Sequence, residues 1–134
     1  MDDTTLLKRA ITLSEESAEP VKCACVLVKN GEVLAEAFNS QRADEIAVHH
    51  AEVKAVIAAN QKLGTKNLDG VTAYCSCEPC VMCLTALSLA KVERIVYNQT
   101  MKEVSGGMPM GELDAAVFAK QYLNFVPKLE RLLV

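Results

Sequence analysis

Two segments of this sequence, His50-Ala51-Glu52 and Glu78-Pro79-Cys80-Val81-Met82-Cys83, carry residue types at spacings that can do chemistry. Cys80 and Cys83 stand at i and i+3, so on a helix both thiols share a face and reach one ion. A helix N-terminus lowers thiol pKa and favours the thiolate that a metal needs. Pro79 stiffens the approach at a position where a missing N–H matters little. With His50, the set becomes one imidazole and two thiolates, which gives Zn2+ three protein ligands and leaves a fourth position open. Two thiolates cancel the ion's formal charge, and the metal still lowers the pKa of a water to about 7. Glu52, two residues past His50, does not share its coordination direction but can stand beside the open position. A carboxylate there takes the water's proton and delivers it to a leaving group.

Plainer readings compete. Cys80-Val81-Met82-Cys83 after a strand is also the pattern of a redox pair, but His50 and Glu52 do nothing for that chemistry. A closed structural zinc would need Cys75 or Cys77 as fourth ligand. Both lie near the end of a strand-like run, where a small buried thiol is ordinary core, and Cys23 and Cys25 alternate on another such run. His49 is the one rival to His50 as a ligand, since the chain has 2 histidines. It reads as a loop residue or a part of the pocket wall.

The elements that must position these residues are legible in outline. Thr4 or Thr5 can cap a helix to about Ser17, with Leu6, Leu7, Ala10, Ile11 and Ser14 as its buried stripe, and Pro20 stops it. Cys23–Lys29 and Glu32–Phe38 are β-prone runs joined by Asn30-Gly31, the strongest short signal for a tight antiparallel hairpin. Asn39–Ala47 reads as a polar loop. Ala51–Leu63 is a helix whose Ala55, Val56, Ala58 and Ala59 allow close packing on a sheet, with Gly64 as its C-terminal cap. Val71–Ser76 is a buried strand, Val81–Lys91 a helix and Arg94–Asn98 a short strand. Beyond these come a loop at Ser105–Pro109, a helix at Leu113–Tyr122, and Asn124–Val134, ambiguous between strand and helix. A hairpin followed by βαβ units implies a mixed sheet with helices on both faces, a three-layer α/β/α fold.

Composition sets the outer limits. The 134 residues are 51% apolar and 23% charged, which fits one domain, 1–134, with its own core. Net charge is −3, from 14 basic and 17 acidic residues, so bulk charge advertises neither nucleic acid nor an anionic membrane. Met1-Asp2-Asp3 opens acidic, no apolar stretch approaches the ~18 residues of a membrane span, and a cytoplasmic location with reduced cysteines is expected.

His50-Ala51-Glu52 with Pro79-Cys80-Val81-Met82-Cys83 matches the H-x-E…P-C-x-x-C pattern of zinc-dependent nucleobase deaminases. On these residues the chain resembles the cytidine/deoxycytidylate deaminase superfamily. Cys77–Leu84 is similar to the branch that holds guanine deaminases and tRNA adenosine deaminases. The resemblance runs from the first helix to about Asn98. It implies a cytidine deaminase-like sheet of about five strands, Zn2+ on His50, Cys80 and Cys83, and Glu52 as proton shuttle. It further implies substrate contacts from Asn39 and from Ala51, Glu78 and Pro79, which flank the ligands, and a homodimer whose partner completes the pocket. Asp114 and Glu112 are further candidate contacts to a substrate amino group, although an acid at a helix N-terminus, favoured by the dipole, is the stronger reading of both. His49 replaces a small residue of that branch, Glu45-Ile46-Ala47-Val48 replaces its Asp-Pro-Thr-Ala, and Cys75 and Cys77 add thiols. These departures bear on substrate identity.

The expected reaction is hydrolytic deamination of an amino-substituted nucleobase or nucleoside-type small molecule, with a purine- or triazine-like base such as guanine favoured. Zinc hydroxide attacks the ring carbon and Glu52 relays the protons. An RNA enzyme should show a basic footprint. Instead Lys91, Arg94, Lys102, Lys120, Lys128 and Arg131 are offset by Glu93, Glu103, Glu112, Asp114 and Glu130, and Trp is absent. A tRNA adenosine deaminase is the alternative within the family. A non-catalytic, zinc-stabilised partner subunit is the alternative outside enzymes, and the presence of Glu52 argues against it.

Overall fold

The computed structural model describes residues 1–104 and 114–134. The elements run α1 (Asp3–Ser14), β1 (Ala24–Lys29), β2 (Glu32–Phe38), α2 (Gln41–Asp44), α3 (Ala51–Leu63), β3 (Thr72–Cys77), α4 (Val81–Leu89), β4 (Arg94–Gln99), α5 (Met101–Val104), α6 (Ala115–Tyr122) and β5 (Lys128–Arg131). The expected loop at Ser105–Pro109, and with it Met108, Met110, Glu112 and Leu113, lies outside the described residues.

Five strands form one mixed sheet in the order β2-β1-β3-β4-β5. β1 pairs antiparallel with β2 and β3, while β3, β4 and β5 run parallel. Asn30 and Gly31 make the β1–β2 turn with φ of 51° and 76°, the left-handed values that a tight hairpin demands. The two faces are covered unequally. Val26, Val28, Tyr74 and Val96 point towards Leu6, Leu7 and Ala10 of α1. Cys25, Leu27, Ala73, Cys75 and Ile95 point to the other side, against Ala51, Ala55 and Ala59 of α3, Leu84 and Leu87 of α4, and Ala115 and Ala119 of α6. This is the expected three-layer α/β/α arrangement. Ala51, Ala55 and Ala59 recur every four residues, so α3 lies close against the sheet along a stripe of methyl groups. Ala58, expected in that stripe, is exposed on the far side.

Several boundaries differ from those expected. Asp2 caps α1, its Oδ1 accepting the Thr5 N–H at 2.8 Å, and the helix ends at Ser14 rather than Ser17. Asp2 competes for the same role as Thr4 and wins because it lies outside the first turn with extended backbone. The polar loop after β2 contains the single turn of α2. The ambiguous C-terminal stretch supplies β5, an edge strand held by its parallel pairing to β4.

Candidate active site

The site forms where two helices begin. His50 is the N-cap of α3 and Cys80 the N-cap of α4, both with extended backbone. Their carbonyls accept the first helical hydrogen bonds, from Lys54 N–H at 3.1 Å and Leu84 N–H at 2.8 Å. Cys83 follows one turn into α4. α3 lies over β2 and β1 and packs beside α4 on the same sheet face, which brings the two helix starts together. Lys54 reinforces the placement, with Nζ donating to Phe38 O at 2.9 Å and Ser40 Oγ at 2.6 Å.

His50 Nδ1 lies 3.6 Å from Cys80 Sγ and 3.5 Å from Cys83 Sγ, and the two sulfurs are 3.5 Å apart. Tetrahedral zinc with bonds of ~2.3 Å to sulfur and ~2.0 Å to nitrogen separates sulfurs by ~3.8 Å and sulfur from nitrogen by ~3.5 Å. The donor triangle therefore fits Zn2+ with little adjustment. Among the described residues these three side chains are the group positioned for one metal ion. Cys75 and Cys77 lie outside it, so a closed site with one of them as fourth ligand is not what the fold builds. The hydrogen bond between the Cys80 and Cys83 thiols, with His50 beside them, holds Cys80 down to about 4. The same contact and burial push Cys83 up, and Cys80 raises His50. Metal binding takes the deprotonated form of each donor.

Glu52 is in the first turn of α3 and is 4% exposed. Burial raises its carboxyl to about 7, opposed by a hydrogen bond with Cys83. A carboxyl near neutrality can both give and take a proton, which suits it to acid–base work.

His50, Ala51, Glu52 and Cys80 form one wall of a pocket of about 260 Å³, and Asn39, Glu78, Cys23 and Cys77 line it with Glu19 and Gln41. Of the residues read from sequence, Asn39, Ala51 and Glu78 thus come to the pocket. The Asn39 amide is engaged on both sides, with Nδ2 donating to Val21 O at 2.6 Å and Oδ1 accepting Cys23 N–H at 3.0 Å. Glu78 accepts the Met101 N–H at 2.9 Å, tying the pocket to the start of α5. Pro79 is buried behind the wall. Asp114 is not brought to this pocket: it caps α6, its Oδ1 accepting Val117 N–H at 3.1 Å. His49 bonds Asp44 through Nδ1 at 2.8 Å and is likewise not among the lining residues.

Six lining residues, Glu19, Pro20, Val21, Cys23, Gln41 and Cys77, were not singled out from sequence as site residues. Cys23 and Cys77 read as core. Glu19 and Gln41 gave no signal, because one reaches the pocket from a loop and the other from the start of the single-turn α2. Gln41 Oε1 is buried and finds no hydrogen-bond donor among the described residues.

With this geometry in view, the likeness to known proteins becomes informative. The family described as the cytidine and deoxycytidylate deaminase zinc-binding region matches residues 1–99. The tRNA-specific adenosine deaminase of Bacillus subtilis (strain 168) is 37% identical over 98 residues, which is 72% of this chain and 61% of that protein. Guanine deaminase of the same organism is 38% identical over 100 residues, 72% of this chain and 64% of that protein. This chain therefore spans less than two thirds of either relative. A solved structure from studies of A-to-I editing by tRNA:A34 deaminases at the wobble position of transfer RNA superposes with a TM-score of 0.80. It covers 96% of this chain and 97% of that chain at 25% identity. The Bacillus subtilis guanine deaminase structure gives a TM-score of 0.72 over 77% of this chain and 68% of that one, at 36% identity.

Proposed function

Because the chain belongs to the cytidine and deoxycytidylate deaminase family, we propose that it is a zinc-dependent hydrolytic deaminase of a free, amino-substituted nucleobase-type heterocycle. The observation that carries this reading is the buried Glu52 carboxyl next to the His50–Cys80–Cys83 triangle, with both opening on one pocket. When bound, zinc supplies Lewis acidity that makes water a nucleophile near neutral pH.

The chain's own groups account for the remaining steps. Water adds to the ring carbon that bears the amino group. The Glu52 carboxylate takes a proton from that water and gives it to the adjacent ring nitrogen. It then relays the second proton to the amino nitrogen, which leaves as ammonia. Asn39, clamped to Val21 and Cys23, keeps one N–H and one lone pair for the substrate edge. Gln41 Oε1 offers an acceptor for a substrate amino or ring N–H, whose arrival satisfies a buried group.

A free base is supported by size and charge. The pocket's volume of about 260 Å³ lies just below the ~300–1,000 Å³ of most small-molecule sites. Glu19 and Glu78 are the charged side chains of its wall beside Glu52, and the chain's net charge is −3. None of this favours phosphates. A guanine-type base leads within this class on the likeness to guanine deaminase. The tRNA reading keeps its own support, from the tRNA-specific relative and from the A-to-I editing structure that covers nearly all of both chains.

In this proposal residues 1–134 form one deaminase domain, with β5 closing the sheet begun inside the matched region. The domain pairs as a homodimer, for which exposed Val48 and Ile57 on either side of the α3 start provide apolar surface. Six free cysteines favour a reducing, cytoplasmic location, and no helix among the described residues is long and apolar enough to cross a membrane.

The test is ammonia release from zinc-loaded protein offered free bases, nucleosides, nucleotides and tRNA. Turnover of a free base and none of tRNA is the expected result. Inosine formation in tRNA, with binding that weakens steeply as salt rises, moves the protein to the RNA-editing branch.

A further inference from the structure

Two cysteine pairs cross the β1–β3 boundary on the same face of the sheet. Cys25 stands opposite Cys75 in the antiparallel ladder. Two residues further along, the same register sets Cys23 opposite Cys77, just where the ladder runs out into the pocket. The sulfurs of Cys25 and Cys75 are 3.9 Å apart in a sealed core where both residues are 0% exposed. Those of Cys23 and Cys77 are 3.0 Å apart, inside van der Waals contact, and both line the pocket. Neither belongs to the donor triangle, and neither has a part in the proton relay.

We propose that Cys23 and Cys77 form a reversible disulfide in the pocket wall, made by a hydroperoxide small enough to enter that pocket. Cross-strand geometry makes the bond accessible, since opposed antiparallel residues have Cα separations of ~4.5–5.5 Å, inside the disulfide range of ~4.4–6.8 Å. Closing the sulfurs from 3.0 Å to the bonded ~2.05 Å needs a movement of about 1 Å, shared between a strand end and the loop before β1. The roles of the two thiols are already unequal. Cys23 donates its S–H to Cys77, which lowers Cys77 and raises Cys23.

The step balances. The Cys77 thiolate attacks one peroxide oxygen, giving Cys77 sulfenic acid and hydroxide from hydrogen peroxide. The Cys23 sulfur then displaces hydroxide from that sulfenic sulfur as its own proton leaves. Two thiols and one peroxide become one disulfide and two waters. Cys80 and Cys83 are spared while a metal holds their thiolates. Restoration needs a dithiol reductant, by exchange through a mixed disulfide.

The bond would act on the segment that Asn39 clamps. The Cys23 N–H already bonds Asn39 Oδ1, and Val21 O accepts from Asn39 Nδ2. A covalent link from Cys23 to β3 pins that segment to the sheet. This inference is independent of which heterocycle the site takes, and its readouts do not use deamination.

The experiment treats zinc-loaded full-length protein with hydrogen peroxide, then maps peptides without reduction and measures zinc. The expected result is a loss of about 2 Da, one Cys23–Cys77 linked peptide, unchanged zinc, and full reversal by dithiothreitol. Amide exchange of peptides spanning Val21–Cys25 should slow about ten-fold in the oxidised protein and recover on reduction. Cys23→Ser and Cys77→Ser should each abolish the 2 Da loss. A linked peptide joining Cys80 to Cys83 with zinc released, or Cys25 to Cys75, overturns the proposal. So does a protein that keeps its full mass, or gains only oxygen, at peroxide levels that oxidise exposed Met1. The wild-type peptide map decides the matter even where a serine variant folds poorly.

Discussion

Asn39 and Cys23 are locked together at the pocket wall, with Asn39 Oδ1 accepting the Cys23 N–H at 3.0 Å and Cys23 O accepting the Asn39 N–H at 3.0 Å. The same amide's Nδ2 holds Val21 O, so one side chain fixes both the end of β2 and the segment entering β1. Asn39→Ala should therefore lower kcat/KM ten-fold or more and also destabilise the fold by about 1–3 kcal/mol, since buried backbone groups lose a partner. Zinc content should stay at the wild-type level. Denaturant titration and steady-state kinetics check the two effects separately, and a variant with wild-type values in both removes the clamp.

The His50–Cys80–Cys83 triangle predicts about one Zn2+ per chain. Cys83→Ala should lose most of that zinc in metal analysis, because two donors hold the ion far more weakly than three. Undiminished zinc in that variant would assign the metal elsewhere.

Glu52→Gln keeps the size of a side chain that is 4% exposed but removes its proton chemistry. Turnover should fall by ~10²–10⁴-fold with zinc retained. Activity within a few-fold of wild type would leave Glu52 a structural residue. Heat and denaturant stability should hold or rise, since burying the ionised carboxylate costs more than burying the amide.

Gln41 sets function against stability. Among the described residues its buried Oε1 has no partner, and a buried acceptor left so costs about 1–3 kcal/mol. Gln41→Leu should recover part of that in a thermal melt while raising KM for the substrate whose N–H it accepts. A variant that gains stability with unchanged kinetics would show that no substrate group reaches Gln41.

Far from the pocket, Arg94 grips Asp3 through Nη1–Oδ1 at 2.9 Å and Nη2–Oδ2 at 2.6 Å, joined by Tyr74 Oη on Oδ1 at 2.6 Å and by Glu130. The Arg94 hydrogen bonds, then that of Tyr74, pull Asp3 from 3.8 down to about 2. A depressed carboxylate contributes stability that is complete above its unfolded value and lost as pH falls through about 2. The pair is partly exposed, so solvent screening keeps the gain to under about 1 kcal/mol. Asp3→Asn should cost that amount at pH 7, with the gap to wild type closing between pH 4 and pH 2. Urea unfolding at both ends of the window checks it, and a gap that persists at pH 2 would mean Asn disrupts packing instead.

How much of this was legible beforehand follows from the range of each interaction. The ligand set could be read because its geometry is local. Cys80 and Cys83 share a face by helical period alone, and His50 and Glu52 are two residues apart at a helix start. The Asn30-Gly31 turn and the Gly64 cap are equally local, since they rest on backbone conformations that few residues adopt. β5 was not legible, because Lys128–Arg131 is a short, half-exposed edge strand made by its pairing with β4. Nothing in its own four residues demands it.

The pocket divides the same way. Sequence alone determined which groups can hold a metal and which carboxyl can move a proton beside it. Only the tertiary structure decided what faces them. Glu19 enters from a loop and Gln41 from a single helical turn, neither long enough to carry a period, and the Asn39 amide turns to backbone partners at Val21 and Cys23 on a different segment. Cys23 meets Cys77 because β1 pairs antiparallel with β3 in one register. A shift of one residue would put the two thiols on opposite faces of the sheet, and that register is set by burial of the whole sheet, which no local pattern contains.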